Sequence, residues 1–233
     1  MKTMILAAGR GERMRPLTDD CPKPLLAVGG KALIVHLIER LRDAGLTELV
    51  INHAHLGERL IGALGDGGEM NVHIHWSAEP PGALETAGGI RKALPLLGDE
   101  AFLVVNGDLW CDWDFSSVAA IAADMKARRV LAHLVMVDNP PHNIAGDFAL
   151  DGDRIARSGE AMLTFAGIGV YAPALFADLR PGERAALAPL LRAAMAEGKV
   201  TGERHRGIWV DVGTPQRLAD LDGQLRASEH KQG

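Results

Sequence analysis

Along roughly the first 135 residues, short apolar runs alternate with apolar stripes at helical spacing. Residues 3–7, 48–52, 72–76, 102–106 and 130–137 are compact, several of them rich in Val and Ile, and read as strands. Between the first two, Leu33, Ile34, Leu37, Ile38, Leu41 and Ala44 recur every three or four positions while Glu39, Arg40, Arg42 and Asp43 take the opposite face, and Gly45 ends the pattern. Similar stripes cover 57–64, 86–94 and 115–128. The order βαβαβαβαβ predicts an α/β fold, a doubly wound, mostly parallel Rossmann-like sheet with ligands bound at the carboxyl ends of its strands.

After Val137 the pattern changes. Asp138-Asn139-Pro140-Pro141-His142-Asn143 is turn chemistry, and Asp151-Gly152-Asp153 between Phe148-Ala149-Leu150 and Arg154-Ile155 reads as a hairpin. This predicts a small β-rich insertion at about 138–160 that covers substrate, within one domain spanning 1–233. Strands return at 163–170 and 208–212, with helices at 183–197 and 214–227. Nothing resembles a linker, a low-complexity tract or a repeat of 20–50 residues.

Composition narrows the function. In 233 residues, 47% hydrophobic and 24% charged, the chain has the balance of a globular protein that folds by burial. With 25 Lys and Arg against 30 Asp and Glu, the net charge of −5 offers no field for a polyanion, so nucleic acid is not an expected partner. The apolar run Met4-Ile5-Leu6-Ala7-Ala8 is too short for a signal-peptide core, and no stretch suits a membrane span. Two distant cysteines, Cys21 and Cys111, make neither a disulfide framework nor a CxxC site, so a cytoplasmic setting is expected. The histidine pairs His53/His55 and His73/His75 lack a third ligand for zinc.

The chemistry concentrates where strands end. The first strand runs into Ala8-Gly9-Arg10-Gly11-Glu12-Arg13-Met14-Arg15, in which two glycines let backbone amides approach a ligand and three arginines gather positive charge. This suits phosphates, although a tight turn with solvated arginines would read the same. A dinucleotide fingerprint fails because Met14 stands where the third glycine belongs, and a Walker A loop fails because Ala32 follows Gly30-Lys31. Pro22 and Pro24 fix the backbone around Lys23. Asp108 follows the fourth strand and Asp211 lies in an apolar strand, where a carboxylate needs a cation, strong donors or a metal. Mg²⁺ is commonly held by one or two carboxylates plus substrate phosphate oxygens.

Taken together, residues 6–18, followed by Pro22-Lys23-Pro24-Leu25, resemble the signature of the sugar-1-phosphate nucleotidyltransferases. The resemblance continues through Leu84-Glu85-Thr86-Ala87-Gly88-Gly89-Ile90, Asn106-Gly107-Asp108, Phe165-Ala166-Gly167-Ile168-Gly169 and Trp209-Val210-Asp211-Val212-Gly213-Thr214, nearly the whole chain. Many members have Gly where this chain has Glu85. Segments 84–89, 146–148 and 163–167 are most similar to the branch that uridylylates N-acetylmuramic acid 1-phosphate in cell-wall recycling. No hexapeptide repeats are present, so the acetyltransferase of bifunctional relatives is not expected.

The resemblance implies transfer of a nucleotidyl group from UTP to a sugar 1-phosphate, with Mg²⁺ as cofactor. It implies that Asp108 and Asp211 hold the metal and that Lys23 and Arg13 act on the phosphates. Ala8, Gly9, Gly11, Glu12, Arg13, Lys23, Glu79, Gly82, Thr86 and Gly88 would contact the nucleotide, and Asn106, Asn143, Gly167 and Asp211 the sugar. The lactyl carboxylate of the expected sugar calls for cationic or amide donors, for which His142, Asn143 and Arg157 are candidates. A mannose-1-phosphate guanylyltransferase, a glucose-1-phosphate uridylyl- or thymidylyltransferase, and a non-catalytic nucleotide-sugar sensor are the alternatives; no protein partner is indicated.

Overall fold

A computed structural model describes residues 1–229 of the chain; residues 230–233 of the expected domain range lie outside the described residues. In chain order the elements are β1 (Lys2–Leu6), β2 (Ala27–Val28), β3 (Lys31–Ala32), α1 (Leu33–Asp43), β4 (Glu48–His53), α2 (Gly57–Leu64), β5 (His73–Ala78), α3 (Glu85–Leu97), β6 (Phe102–Asn106), β7 (Leu109–Cys111), α4 (Val118–Arg128), β8 (Ala132–Val137), β9 (Phe148–Asp151), β10 (Arg154–Ala156), β11 (Met162–Tyr171), α5 (Leu187–Ala196), β12 (Val200–Arg204), β13 (Trp209–Asp211) and α6 (Pro215–Glu229).

Among the described residues the main sheet has nine strands in the order β5-β4-β1-β6-β11-β8-β12-β10-β9. All but β10 and β11 point the same way: β5, β4, β1 and β6 pair in parallel, as do β8 and β12, and antiparallel β11 separates the two groups. Successive strand side chains face opposite sides of a sheet, so the continuous apolar runs fill two cores at once. Ile5, Ile51, Leu103 and Val105 pack with α1, α2 and α4, whereas Met4, Val50, Phe102 and Val104 pack with α3 and α5. The doubly wound arrangement follows from that alternation.

Several features differ from the sequence expectation, the short strands β2, β3 and β7 among them. Segment 208–212 contributes no strand to the main sheet; β13 pairs antiparallel with β7, in the register Asp211↔Leu109. Strand β12 was not expected, because Val200-Thr201-Gly202-Glu203-Arg204 carries one aliphatic residue, yet its first three residues are buried between β8 and β10. Helix α5 starts at Leu187 and not near 183. The residues before it are claimed by the start of α3: Ala185 N donates to Leu84 O, and Ala185 O accepts from the amides of Ala87 and Gly88 at 3.0 and 3.1 Å. The 148–156 hairpin extends the edge of the main sheet, and no helix among the described residues is long and apolar enough to cross a membrane.

Phe102 starts the strand whose far end carries Asn106, and its ring stacks on Phe176 with centroids 6.1 Å apart, against fully buried Tyr171. Phe102→Ala should therefore destabilise the fold by about 3–5 kcal/mol, measured by chemical denaturation.

Candidate active site

Parallel pairing aligns the carboxyl ends of the strands in one row. Leu6 of β1 is in register with Asn52 of β4 and with Asn106 of β6, and the chain beyond each end enters a common cleft. Asn52 ties the row together: its Oδ1 accepts from Ala7 N at 2.7 Å and its Nδ2 donates to Glu79 Oε1 at 2.6 Å. The other oxygen of Glu79 accepts from Leu84 N at 2.7 Å, so one buried carboxylate anchors the whole 79–84 loop.

The loop after β1 owes its shape to an apolar anchor. Met14, in the position that excludes a dinucleotide fingerprint, is fully buried with Leu26, Val28, Leu33, Val212 and Leu221. A short 3₁₀ turn at Glu12–Met14 results, closed by Met14 N donating to Gly11 O at 2.8 Å. Gly11 has φ +69°, and a Cβ there would come within 3.2 Å of the Lys23 side chain. Only glycine lets the loop pass so close to the lysine. Of the three arginines, Arg13 faces the cleft; Arg10 and Arg15 are exposed and paired with Glu12 and Asp19.

Lys23 opens a one-turn helix between its prolines, its side chain only 10% exposed and in an ion pair with Asp108. Asp108 follows Gly107, whose amide donates to Leu6 O at 2.9 Å; a Cβ at Gly107 would meet that carbonyl at 2.8 Å. Asp211 arrives from the far end of the chain. Its segment is fixed to the same place by the β7–β13 pairing and by Val212 N donating to Asp108 O at 3.0 Å. The Asp211 carboxylate receives Arg217 Nη1 at 2.8 Å and lies 3.5 Å from His142 Nε2.

These groups line three cavities in series. The first, of about 370 Å³, is walled by Ala8, Gly9, Gly11, Glu12, Arg13, Lys23, Asn52, Glu79, Thr86, Asn106 and Asp108, among others. The second, of about 270 Å³, shares Arg13, Asn106 and Asp108 with the first and adds His142, Asn143, Thr164, Gly167, Trp209 and Asp211. The third, of about 390 Å³, shares His142, Trp209 and Asp211 with the second and continues to His205, Arg206 and Arg217. Gly167 sits in an irregularity of β11 with φ +74°, where a Cβ would strike Asn106 Nδ2. Asn143 donates to Asp147 and Thr164, both at 3.1 Å, which fastens the 139–147 loop to β11.

Some residues singled out in the sequence stand elsewhere. Gly88 is buried behind the first cavity, where a Cβ would collide with Glu183 O, so its glycine serves packing. Gly82, at φ +98°, and exposed Arg157 line none of the three cavities. Glu85 has φ +60°, the left-handed region in which glycine is unstrained, and this explains why a Gly suits the position. Its carboxylate meets Arg184 at 3.0 Å. Asn52, His205, Arg206 and Arg217 were not anticipated; for Asn52 the signal was a polar residue ending an apolar strand. Cys111 is buried, which pushes its thiol up and makes it a packing residue. Among the described residues no group of three or more His, Cys, Asp or Glu could hold a metal, so a cation here would rest on two carboxylates and on substrate oxygens.

The Glu79 clamp is directly testable. Glu79→Gln swaps one acceptor for a donor facing either Asn52 Nδ2 or Leu84 N, and should lower stability by about 1–3 kcal/mol in urea unfolding.

With this geometry in hand, comparison with known proteins is specific. Residues 2–228 match the family model described as nucleotidyl transferase. The chain is 53% identical over 223 residues to an N-acetylmuramate alpha-1-phosphate uridylyltransferase of Neisseria meningitidis serogroup B, covering 94% of this chain and 96% of the relative. It is 37% identical to an enzyme of the same name from Caulobacter vibrioides, covering 97% and 96%. A crystal structure from Bacillus anthracis, described as a glucose-1-phosphate thymidylyltransferase in complex with sucrose, shares the fold with a TM-score of 0.82 at 22% identity, covering 97% of this chain and 95% of that one. A phosphate-suited loop, a lysine held between prolines and two strand-end aspartates in one cleft are thus accounted for together: the chain belongs to the nucleotidyl transferase family.

Proposed function

We propose that this chain transfers the uridylyl group of UTP to N-acetylmuramic acid 1-phosphate, giving UDP-N-acetylmuramic acid and pyrophosphate. The observation that carries this reading is the nearly full-length identity to the two relatives of that activity, on a site where one cavity opens into another at Asp108. The nucleotide occupies the first cavity, with its triphosphate along residues 8–13, and the sugar occupies the second, under the 138–160 segment.

The reaction needs no general base, because the nucleophile is a phosphate oxygen already ionised at neutral pH. That oxygen bonds to the α-phosphorus while the bond to the β-phosphate oxygen breaks and pyrophosphate departs in line. The protein must bring two anions together and hold them aligned. Arg13 borders both cavities and answers the charge of both substrates; Lys23, nearly dry and fixed by its prolines, supplies positive charge where the transferring phosphoryl group passes. Asp108 and Asp211, in the wall of the same cavity, are the residues that would hold Mg²⁺. The bound cation would neutralise phosphate charge, and Lys23 and Arg217 would give up part of their hold on the two carboxylates. Two free thiols suit a reducing cytoplasm.

Pyrophosphate release measured for UTP, GTP and dTTP against several sugar 1-phosphates tests the assignment. N-acetylmuramic acid 1-phosphate with UTP should have the highest kcat/KM; equal values with N-acetylglucosamine 1-phosphate, or a preference for mannose 1-phosphate with GTP, would overturn it. Lys23→Ala should lower kcat about 100-fold or more, comparable with loss of one aimed electrostatic donor. Asp108→Asn or Asp211→Asn should each remove roughly 3–5 kcal/mol of transition-state stabilisation, a few powers of ten in rate.

A further inference from the structure

The transfer just described uses two cavities, and the third is left over. It opens off the sugar cavity past His142, Trp209 and Asp211, and Arg206 and Arg217 stand in its wall beside Asp138 and Asp211. Arg217 stands at the neck between them with its side chain 22% exposed; its Nη1 is 2.8 Å from Asp211 Oδ2 and 3.0 Å from His142 Nε2. Arg206 lines the same cavity, is exposed, and has no ion-pair partner among the described residues. The carboxylates in or beside this cavity are already answered: Asp138 by Arg204, Asp112 by His205 at 2.8 Å, and Asp211 by Arg217. Among the described residues this leaves Arg206 as the arginine of the wall that no carboxylate answers.

We infer that this third cavity is the subsite for a carboxylate carried by the sugar, the lactyl group of N-acetylmuramic acid, and that Arg217 is the residue that reads it, with His142 and Arg206 in support. The inference rests on the proposed substrate and names the groups that would select it. A guanidinium suits the task, since its planar fork meets carboxylate oxygens in pairs and it keeps its charge at any physiological pH. Position matters as much as charge. A ring substituent pointing away from the phosphate in the second cavity has the neck at Arg217 as its outlet, whereas exposed Arg157 is reached from neither cavity. A sugar without the carboxylate would forgo the charge-assisted contact with Arg217 and leave Arg206 unanswered, and that difference is what turns a contact into discrimination.

The test compares kcat/KM with UTP for N-acetylmuramic acid 1-phosphate, its lactyl carboxamide and N-acetylglucosamine 1-phosphate. Wild type should prefer the acid to both analogues. In Arg217→Met the acid-to-carboxamide ratio should fall by about 100-fold, as expected for loss of one partner of a charge pair. Arg217→Lys should recover part of that ratio. Because Arg217 also holds Asp211, absolute rates can fall for every sugar, so the ratio is the deciding readout. Wild-type preference for the acid with an unchanged ratio in Arg217→Met would confine Arg217 to positioning Asp211 and overturn the subsite alone; no wild-type preference would overturn both the subsite and the proposed substrate. Should Arg217→Met fail to fold, the exposed Arg206→Gln decides, with a ratio lowered several-fold supporting the subsite and an unchanged one refuting it.

Discussion

Two carboxylates in the wall of one cavity would repel each other and resist desolvation unless each met a cation, and the architecture of this protein is organised around that requirement. Asp108 is answered by Lys23, and Asp211 by Arg217 at 2.8 Å. The pairs are built from four distant parts of the chain. The turn after β6 presents Asp108, the proline-bounded turn presents Lys23, β13 presents Asp211 and the first turn of α6 presents Arg217. Removing one member would leave its partner charged and unpaired in a partly dry cleft, so the fold carries all four or loses the site.

Apolar packing holds these charges at their posts. Met14, Val212 and Leu221 share one small core, so the phosphate-side loop, the segment after Asp211 and helix α6 are fastened to one another by burial. Close backbone approach does the finer positioning. Glycine at 11, 107 and 167 brings main chain against Lys23, Leu6 and Asn106, and any side chain at those positions would displace a functional group. Charges placed on rigid supports need little reorganisation when further charge develops, which is the condition for strong electrostatic catalysis.

The cavities follow one another in the same spatial order as the charges. Arg13, Asn106 and Asp108 form the border between the first and second; His142, Trp209 and Asp211 form the border between the second and third. Each border holds an aspartate whose cation, Lys23 or Arg217, lines the cavity on one side of it, so a group near the border meets both signs of charge. On the proposed assignment, reaction and selection occupy neighbouring spaces along one groove. The third cavity shares no residue with the loop after β1, so on that assignment changes there would tune sugar choice without touching the loop.

Much of this was legible in the chain itself. Alternating apolar runs and helical stripes in the first half dictate a doubly wound sheet, because each pattern buries a face only in one kind of element. Strand ends rich in Gly, Asn and Asp marked the cleft, and Lys23 between two prolines declared a lysine held in place. The strand at Val200–Arg204 was hidden because Thr201 and Gly202 are buried by neighbours on both sides, not by their own hydrophobicity. Arg217 was equally silent, an ordinary arginine at a helix start. What makes it part of the site is the pairing of β13 with β7, a contact between positions about a hundred residues apart, and of His142 with the same carboxylate. Local pattern determines which segments become strands and helices, since that depends on which face each can bury; which charges then face one another is decided only when long-range pairing brings the segments together.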